Sequence, residues 1–203
     1  MIRVRRMTLA LLMGVFSVLL GAGSAGAVVI NFDALANGAV VTNQFAEASF
    51  SSTAGFVNRI TAQALGSSPP NFICTGPSNG GIDCAHETIV DFTNAVSNLT
   101  FLEVGDNNAG LNALVDVFVN GVFASTVGAG GDGDPFHPNL VDLSAFSNIT
   151  RIRIHSITDL AGLGWDDFSF TVGARQVPGP STLFLLGSGL VGLVAVLRRR
   201  YKA

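Results

Sequence analysis

Hydrophobic and polar residues alternate with a period of two along most of segment 28–176, which is typical of β-strands. The clearest case is Arg151–His155, where isoleucines alternate with charged and polar residues. A last strand places Phe168, Phe170 and Val172 on one face in the same way. We find no amphipathic helix pattern of useful length in this segment. The pattern therefore predicts an all-β domain at 28–176.

Short strands separated by glycine, asparagine and proline turns are typical of an antiparallel β-sandwich. The predicted strands are 28–33, 39–42, 48–52, 59–63, 86–92, 99–104, 112–119, 122–127, 151–155 and 165–172. The strongest hairpin signal is Asn120-Gly121, because both residues tolerate positive φ. We expect a glycine-rich acidic loop at 128–138 and a turn or short helix at 141–146.

The beginning of the chain breaks the strand pattern. Three arginines among the first six residues precede an apolar run at 7–20 and small residues at 21–27. This order predicts a secretory signal peptide at 1–27, cleaved after Ala27 by signal peptidase once the export machinery has engaged it. An uncleaved N-terminal anchor is the alternative.

The end of the chain also breaks the pattern, in three consecutive parts. They are Val177-Pro178-Gly179-Pro180, an uncharged run at 181–197, and Arg198-Arg199-Arg200-Tyr201-Lys202-Ala203. As a helix the run would be about 26 Å long, which is at the short end of what spans a bilayer. The prolines place the start of this helix near Ser181, and the arginines predict a cytoplasmic end.

This three-part tail, 177–203, resembles the PEP-CTERM sorting signal of exopolysaccharide-producing Gram-negative bacteria. The family usually has Glu where this chain has Gly179. The resemblance implies transient anchoring in the inner membrane through 181–197 and processing near 177–180 by the family's enzyme, exosortase. It further implies delivery to the cell surface or the exopolysaccharide matrix. An ordinary C-terminal membrane anchor is the alternative.

The net charge of segment 28–176 limits the classes of partner that it can bind. All 14 acidic residues of the chain lie there with only four arginines and no lysine, a net charge of −10. Such a surface repels nucleic acid and anionic lipid. It also repels acidic polysaccharide unless a divalent cation mediates, so extracellular polysaccharide stays a candidate partner and nucleic acid does not.

Two cysteines, Cys74 and Cys84, bracket a stretch rich in turn-forming residues. In an exported chain an even pair this close predicts a disulfide. Neither a zinc site nor a redox motif has the spacing that this pair shows.

Catalytic signals are weak. The three histidines, His86, His137 and His155, lie in unrelated sequence contexts, and no Gly-x-Ser-x-Gly motif is present. We therefore expect a non-enzymatic structural or adhesive protein.

Two binding functions remain open as alternatives, calcium binding and sugar binding. Carboxylates on glycine-bearing loops suit Ca²⁺, although aspartate and glycine also simply form turns. The candidate calcium ligands are Asp33, Asp132, Asp134, Asp166 and Asp167, and Asp106-Asn107-Asn108 is similar in kind. The candidate platform for stacking a sugar ring is Trp165, the single tryptophan of the chain. Asn31-Phe32-Asp33 and Trp165-Asp166-Asp167-Phe168-Ser169-Phe170 weakly resemble the first and last strands of jelly-roll carbohydrate-binding modules. This resemblance implies a jelly-roll topology. As an alternative function it implies a carbohydrate-binding, lectin-like module, with or without a dependence on calcium.

Overall fold

A computed structural model describes residues 26–173 except 64, 66–69 and 82. Residues Ala25–Gly173 form one compact unit. The described residues contain strands and turns and no helix. The strands are β1 (Ala27–Ile30), β2 (Val40–Val41), β3 (Ala48–Ser51), β4 (Phe56–Ala62), β5 (Asn71–Pro77), β6 (Thr88–Val104), β7 (Ala109–Val119), β8 (Val122–Asp132), β9 (Asn139–Asp142), β10 (Ile149–His155) and β11 (Gly164–Val172).

All the strands belong to one open sheet in which every pair is antiparallel. Hydrogen-bonded neighbours follow the order β2-β4-β5-β11-β6-β10-β7-β8. Beside this path, β1 pairs with β11, and both β3 and β9 pair with β6. The predicted all-β, antiparallel class is thereby confirmed.

Strand β6 connects two groups of strands because its two ends have different neighbours. Thr88–Phe92 pairs with β3, and Thr88–Asp91 also pairs with β10. From Val96 onwards the strand pairs with β11, and Thr100–Glu103 also pairs with β9. The register of β10 against β6 shifts between Ile149 and Arg151. One continuous strand therefore holds both groups in a single hydrogen-bonded sheet.

The core follows from the alternation along the strands. Ile152 and Ile154 of β10 are fully buried, while Arg151 and Arg153 point outward. A single large cluster of buried hydrophobic residues contains side chains from both ends of β6, such as Val90 and Phe101. Both groups of strands therefore bury their apolar faces in the same core.

Aromatic rings fill the centre of this core. The ring of Phe168 stacks on Phe101, with ring centroids 5.0 Å apart, and meets Phe32 and Phe50 edge-on at 6.2 and 5.7 Å. Such stacked and edge-on pairs are the arrangements that aromatic quadrupoles favour. The last strand and the segment that follows β1 are thus joined to the centre of the core through rings.

The predicted disulfide is confirmed: Cys74 on β5 is bonded to Cys84, with the two Cα atoms 4.8 Å apart. Cys74 is buried in a small cluster with Phe72 and Val104. The main-chain oxygen of Cys84 accepts a hydrogen bond from Leu163 N at 2.9 Å. The disulfide therefore ties the segment after β5 to the connection between β10 and β11.

Four details differ from the sequence prediction. Strand β5 was not predicted, because six of its residues are buried in succession and give no alternation. The predicted strands 86–92 and 99–104 are parts of one strand, β6. Strand β8 continues to Asp132, into the predicted loop, and Asn139–Asp142 forms a strand, β9, that was not predicted. Of the turn or short helix predicted at 141–146, the structure has the turn, in which Phe146 N donates to Leu143 O at 3.0 Å.

Truncation of Phe168 to alanine should lower the free energy of unfolding by about 3–5 kcal/mol, because it removes a buried ring with three aromatic neighbours. The matched control is Phe123→Ala on β8, where the ring is 54% exposed; it should cost under about 1 kcal/mol. Denaturant unfolding of the full-length chain in detergent measures both. Equal losses for the two variants would contradict the core described above.

Candidate functional site

Three carboxylates are buried close to one another where β6 and β10 end. Glu103 and Asp106 are 0% exposed and Asp159 is 3% exposed. We call these three residues the acidic cluster. Buried carboxylates are rare unless they are paired, so the cluster needs a physical explanation.

The position of Glu103 follows from the period of β6. Leu99, Phe101 and Glu103 alternate along the strand, and the first two belong to the core, so Glu103 shares their inward face. In the sheet, Glu103 lies opposite Asn139 of β9 on one side and Trp165 of β11 on the other. Directly opposed residues of an antiparallel pair project to the same face, so these three side chains form one row across the sheet.

Asp106 is fully supplied with hydrogen-bond donors. Its Oδ1 accepts from Asn108 N at 2.9 Å and from Asn112 Nδ2 at 2.6 Å. Its Oδ2 accepts from Gly133 N at 2.9 Å and from Asn139 Nδ2 at 3.5 Å. Asp106 therefore joins the β6–β7 loop (105–108) to β7, to β9 and to the β8–β9 loop (133–138).

Asp159 has a similar role on the other side. Its Oδ2 accepts from Asn107 N at 2.7 Å and its Oδ1 from Ala161 N at 2.8 Å. The first bond links the β10–β11 loop (156–163) to the β6–β7 loop. The carboxylate oxygens of both buried aspartates therefore have hydrogen-bond donors.

Glu103 differs from both aspartates. Both of its carboxylate oxygens are buried, and neither has a hydrogen-bond partner. Burial raises its pKa from the ordinary 4.5 to about 7, and the charges of Asp106 and Asp159 add to the rise. Below neutral pH Glu103 is therefore largely a neutral acid, and it exchanges its proton near pH 7.

Of the five carboxylates predicted as calcium ligands, those of Asp132, Asp134 and Asp166 accept local hydrogen bonds. Asp132 contacts Nδ1 of His137 at 2.6 Å and accepts from Asp134 N at 3.0 Å. Asp134 accepts from Phe136 N at 3.0 Å. Asp166 is buried and accepts from Asp167 N at 2.8 Å, and the main-chain oxygen of Asp33 accepts from Asn71 Nδ2 at 3.4 Å.

Among the residues that the structure describes, no three histidine, cysteine, aspartate or glutamate side chains are grouped so that they could hold a metal ion. This holds for the predicted calcium ligands and for the acidic cluster alike. The donors that saturate Asp106 and Asp159 are consistent with this, because they occupy the oxygens that a cation would need.

Trp165 does not present a face to a sugar, which corrects its assignment as a stacking platform. Its side chain is 0% exposed and meets Phe101 edge-on, with ring centroids 5.8 Å apart. The ring is therefore part of the core. Its Nε1 is buried without a hydrogen-bond partner, like the carboxylate of its sheet neighbour Glu103.

A serine, a histidine and an aspartate are aligned on the outer face of β10. Ser156 Oγ lies 2.8 Å from His155 Nδ1, and His155 Nε2 lies 3.2 Å from a carboxylate oxygen of Asp116. Ser156 has a positive φ of 54°. Asp116 is shared, however, because it also accepts from Thr126 Oγ1 at 2.6 Å and lies 3.7 Å from Arg153. The arrangement is better explained as a cross-strand polar network than as a triad whose aspartate serves only the imidazole.

Most residues of the predicted sorting and export signals lie outside the described residues, namely Val177–Pro180, 181–197 and Arg198, Arg199 and Arg200. Ala27 is described: it is the first residue of β1 and lies opposite Thr171 of β11. In the described part of the chain, no helix is long and apolar enough to cross a membrane.

A comparison with protein-family models gave no match, and a comparison with curated proteins gave none either.

The sequence contains a signal for the burial of Glu103. A glutamate in phase with Leu99 and Phe101 is a charged residue at a core position, which is unusual on a strand. At Asp106 the sequence predicts an acidic turn and does not indicate that the carboxylate is buried. For Asp159 we see no signal in the sequence, because its burial depends on the meeting of two loops that are distant along the chain.

The raised pKa of Glu103 predicts a pH-dependent stability. Below about pH 4.5 the residue is protonated in both folded and unfolded chains. Between about pH 4.5 and pH 7 the folded state holds the proton more tightly, so stability is lost as the pH rises through this window. With allowance for water that reaches the ion, the loss should be about 1–3 kcal/mol.

Glu103→Gln, a neutral isostere, should lack this loss. Relative to the wild type, the variant should gain about 1–3 kcal/mol in unfolding free energy between about pH 5 and pH 8. Denaturant titrations of both chains at each pH measure the difference, and the histidines, common to both, cancel. A difference that does not change with pH would contradict the raised pKa.

Proposed function

We propose that this chain is an exported, non-enzymatic protein of the cell surface or exopolysaccharide matrix of a Gram-negative bacterium, sorted by its C-terminal segment. The signal peptide 1–27 directs export, and 181–197 holds the chain in the inner membrane for a time. Exosortase then processes it near Val177–Pro180, and the β domain is delivered outside.

One observation supports this proposal above the others: the order of the tail. A proline-containing motif, a short uncharged run and an arginine cluster follow one another without a gap. The run is long enough to span a bilayer only barely, and the arginines fix its orientation. Such an anchor suits a protein that is held briefly rather than permanently.

The β domain is consistent with export. The disulfide between Cys74 and Cys84 is of the kind that persists in oxidising compartments. A net charge of −10 over 28–176 suits a soluble surface that avoids anionic lipid. As part of the proposal we interpret the sheet, with its shared core, as a jelly-roll-like sandwich.

The non-enzymatic part of the proposal has a direct test at Ser156. A fluorophosphonate probe labels serines that a histidine activates. We expect no labelling of the wild type beyond that of Ser156→Ala. Labelling that disappears in Ser156→Ala would replace the structural function with a hydrolase.

The sorting part predicts a specific processing event in the native host. Intact mass spectrometry of the fractionated cells should find the wild-type β domain outside the inner membrane, with a new C-terminus near 177–180. Pro178→Ala/Pro180→Ala should accumulate in the inner membrane with 181–203 still attached, because the accessible extended motif is lost.

Two variants serve as controls for this experiment. Pro138→Ala, in the β8–β9 loop, should be processed like the wild type. Gly179→Glu introduces the residue that the family usually has, and should be processed at least as completely. A surface-located wild-type chain that retains 181–203 would contradict the sorting proposal.

A further inference from the structure

We propose that Glu103 is a proton-operated latch for the loop end of the β domain. With its proton, it lets the β6–β7 and β10–β11 loops close over the row that it forms with Asn139 and Trp165. Without its proton, it repels Asp106 and Asp159 and loosens both loops. This inference does not depend on the export proposal.

The first support is geometric. The acidic cluster is the point at which the loops are joined: Asp106 binds Asn108 N and Gly133 N, and Asp159 binds Asn107 N. Both anchoring carboxylates therefore bear on the β6–β7 loop. Whatever charge Glu103 carries acts on the two groups that hold this loop in place.

The second support is the contrast in hydrogen bonding. The aspartates have main-chain and side-chain donors that stabilise their charge, and Glu103 has none. An ionised Glu103 would be a third negative charge, buried and without compensation, in a region of low dielectric. The cheapest relief is to separate the loops and admit water, since the strand β6 itself is held on both sides.

Among the described residues, the charged groups that act on Glu103 are two acids, so they offer no compensating cation. From the β6–β7 loop comes Asp106, and from the β10–β11 loop comes Asp159. Asp166 follows Trp165 on β11 and is paired with Leu102, so it belongs to the other face of the strand. His137, two residues before Asn139, is already paired, because it contacts Asp132 at 2.6 Å.

Two apolar side chains are exposed next to the latch, one on the β10–β11 loop and one on strand β9. Leu160 follows Asp159 and is 99% exposed, and Leu140 follows Asn139 and is 64% exposed. Leu163 N, at the other end of the β10–β11 loop, is bonded to Cys84 O. The disulfide therefore fixes one end of this loop. Thr158 bonds its other half to Asn112 O, and Asp159 is the group that holds the middle of the loop to Asn107 N.

Trp165 is a built-in reporter for this latch, because it is the single tryptophan and lies opposite Glu103. We would titrate tryptophan emission and its quenching by acrylamide from about pH 5 to pH 9, using the full-length chain in detergent. The wild type should show one transition with a midpoint near pH 7 and stronger quenching above it. Glu103→Gln should remain at the low-pH level of quenching throughout.

Two further variants make the result decisive. Glu47→Gln, the same change at a half-buried glutamate between β2 and β3, should keep the wild-type transition. Asp159→Asn removes one repelling charge and should move the midpoint to lower pH. If the far-ultraviolet circular dichroism shows that Glu103→Gln does not fold, the shift of the midpoint in Asp159→Asn tests the latch instead.

Three outcomes would overturn the latch. They are a flat wild-type titration, a transition that persists in folded Glu103→Gln and so belongs to a histidine, and a midpoint that Asp159→Asn leaves unmoved.

Discussion

The continuity of β6 is the constraint on which the rest of the structure depends. Because the strand runs unbroken from Thr88 to Val104, the strands paired at its start and those paired at its end share one hydrogen-bonded sheet and one core. Its length also decides where the domain ends. After Phe101 the next inward position of the strand is Glu103, which falls where β9, β11 and three loops converge. The acidic cluster is thus a consequence of placing a carboxylate in the inward row of β6, beside the buried Trp165.

Buried polar groups are treated in two different ways in this domain. Near β4 and β5, Thr75 Oγ1 lies 2.6 Å from Thr88 Oγ1 and also bonds Asn58, so the polar atoms satisfy one another. At the loop end, the aspartates are satisfied and Glu103 is not. The first arrangement fixes one conformation, because every donor has its acceptor. The second leaves Glu103 without a partner, and the surroundings that this residue prefers change with its charge. The stability of the local structure therefore depends on pH.

The sequence predicted most of the strands because their alternation is a local property. The alternation is clear in β10, where isoleucines and arginines occupy successive positions. The hairpin at Asn120-Gly121 was predicted from its two residue types, and both residues have positive φ. The prediction failed for β5, since a strand buried on both faces has no alternation to read. The cysteine pair was predictable from spacing, but the burial of Trp165 was not. Whether an aromatic residue at the start of a strand faces the core or a ligand depends on which strand lies opposite, and that is a property of the topology.

The negative charge of the domain is unevenly distributed, because part of it is concentrated in the acidic cluster. Fourteen carboxylates against four arginines would be a uniform property of the surface if all of them were exposed. Instead, Arg151 pairs with Asp91 at 2.6 Å and Arg153 pairs with Glu87 on the outer face. These two cations therefore neutralise carboxylates at positions where solvent already screens the charge. The third described arginine, Arg59, donates to the main-chain oxygens of Gly38 and Ser78, so none of the three arginines that the structure describes is bonded to the acidic cluster. On the proposed export route the domain leaves the buffered cytoplasm, and its surroundings then set the charge of Glu103. A cluster without a cation makes the loop end respond to that change, whereas a buried arginine beside Glu103 would have removed the response.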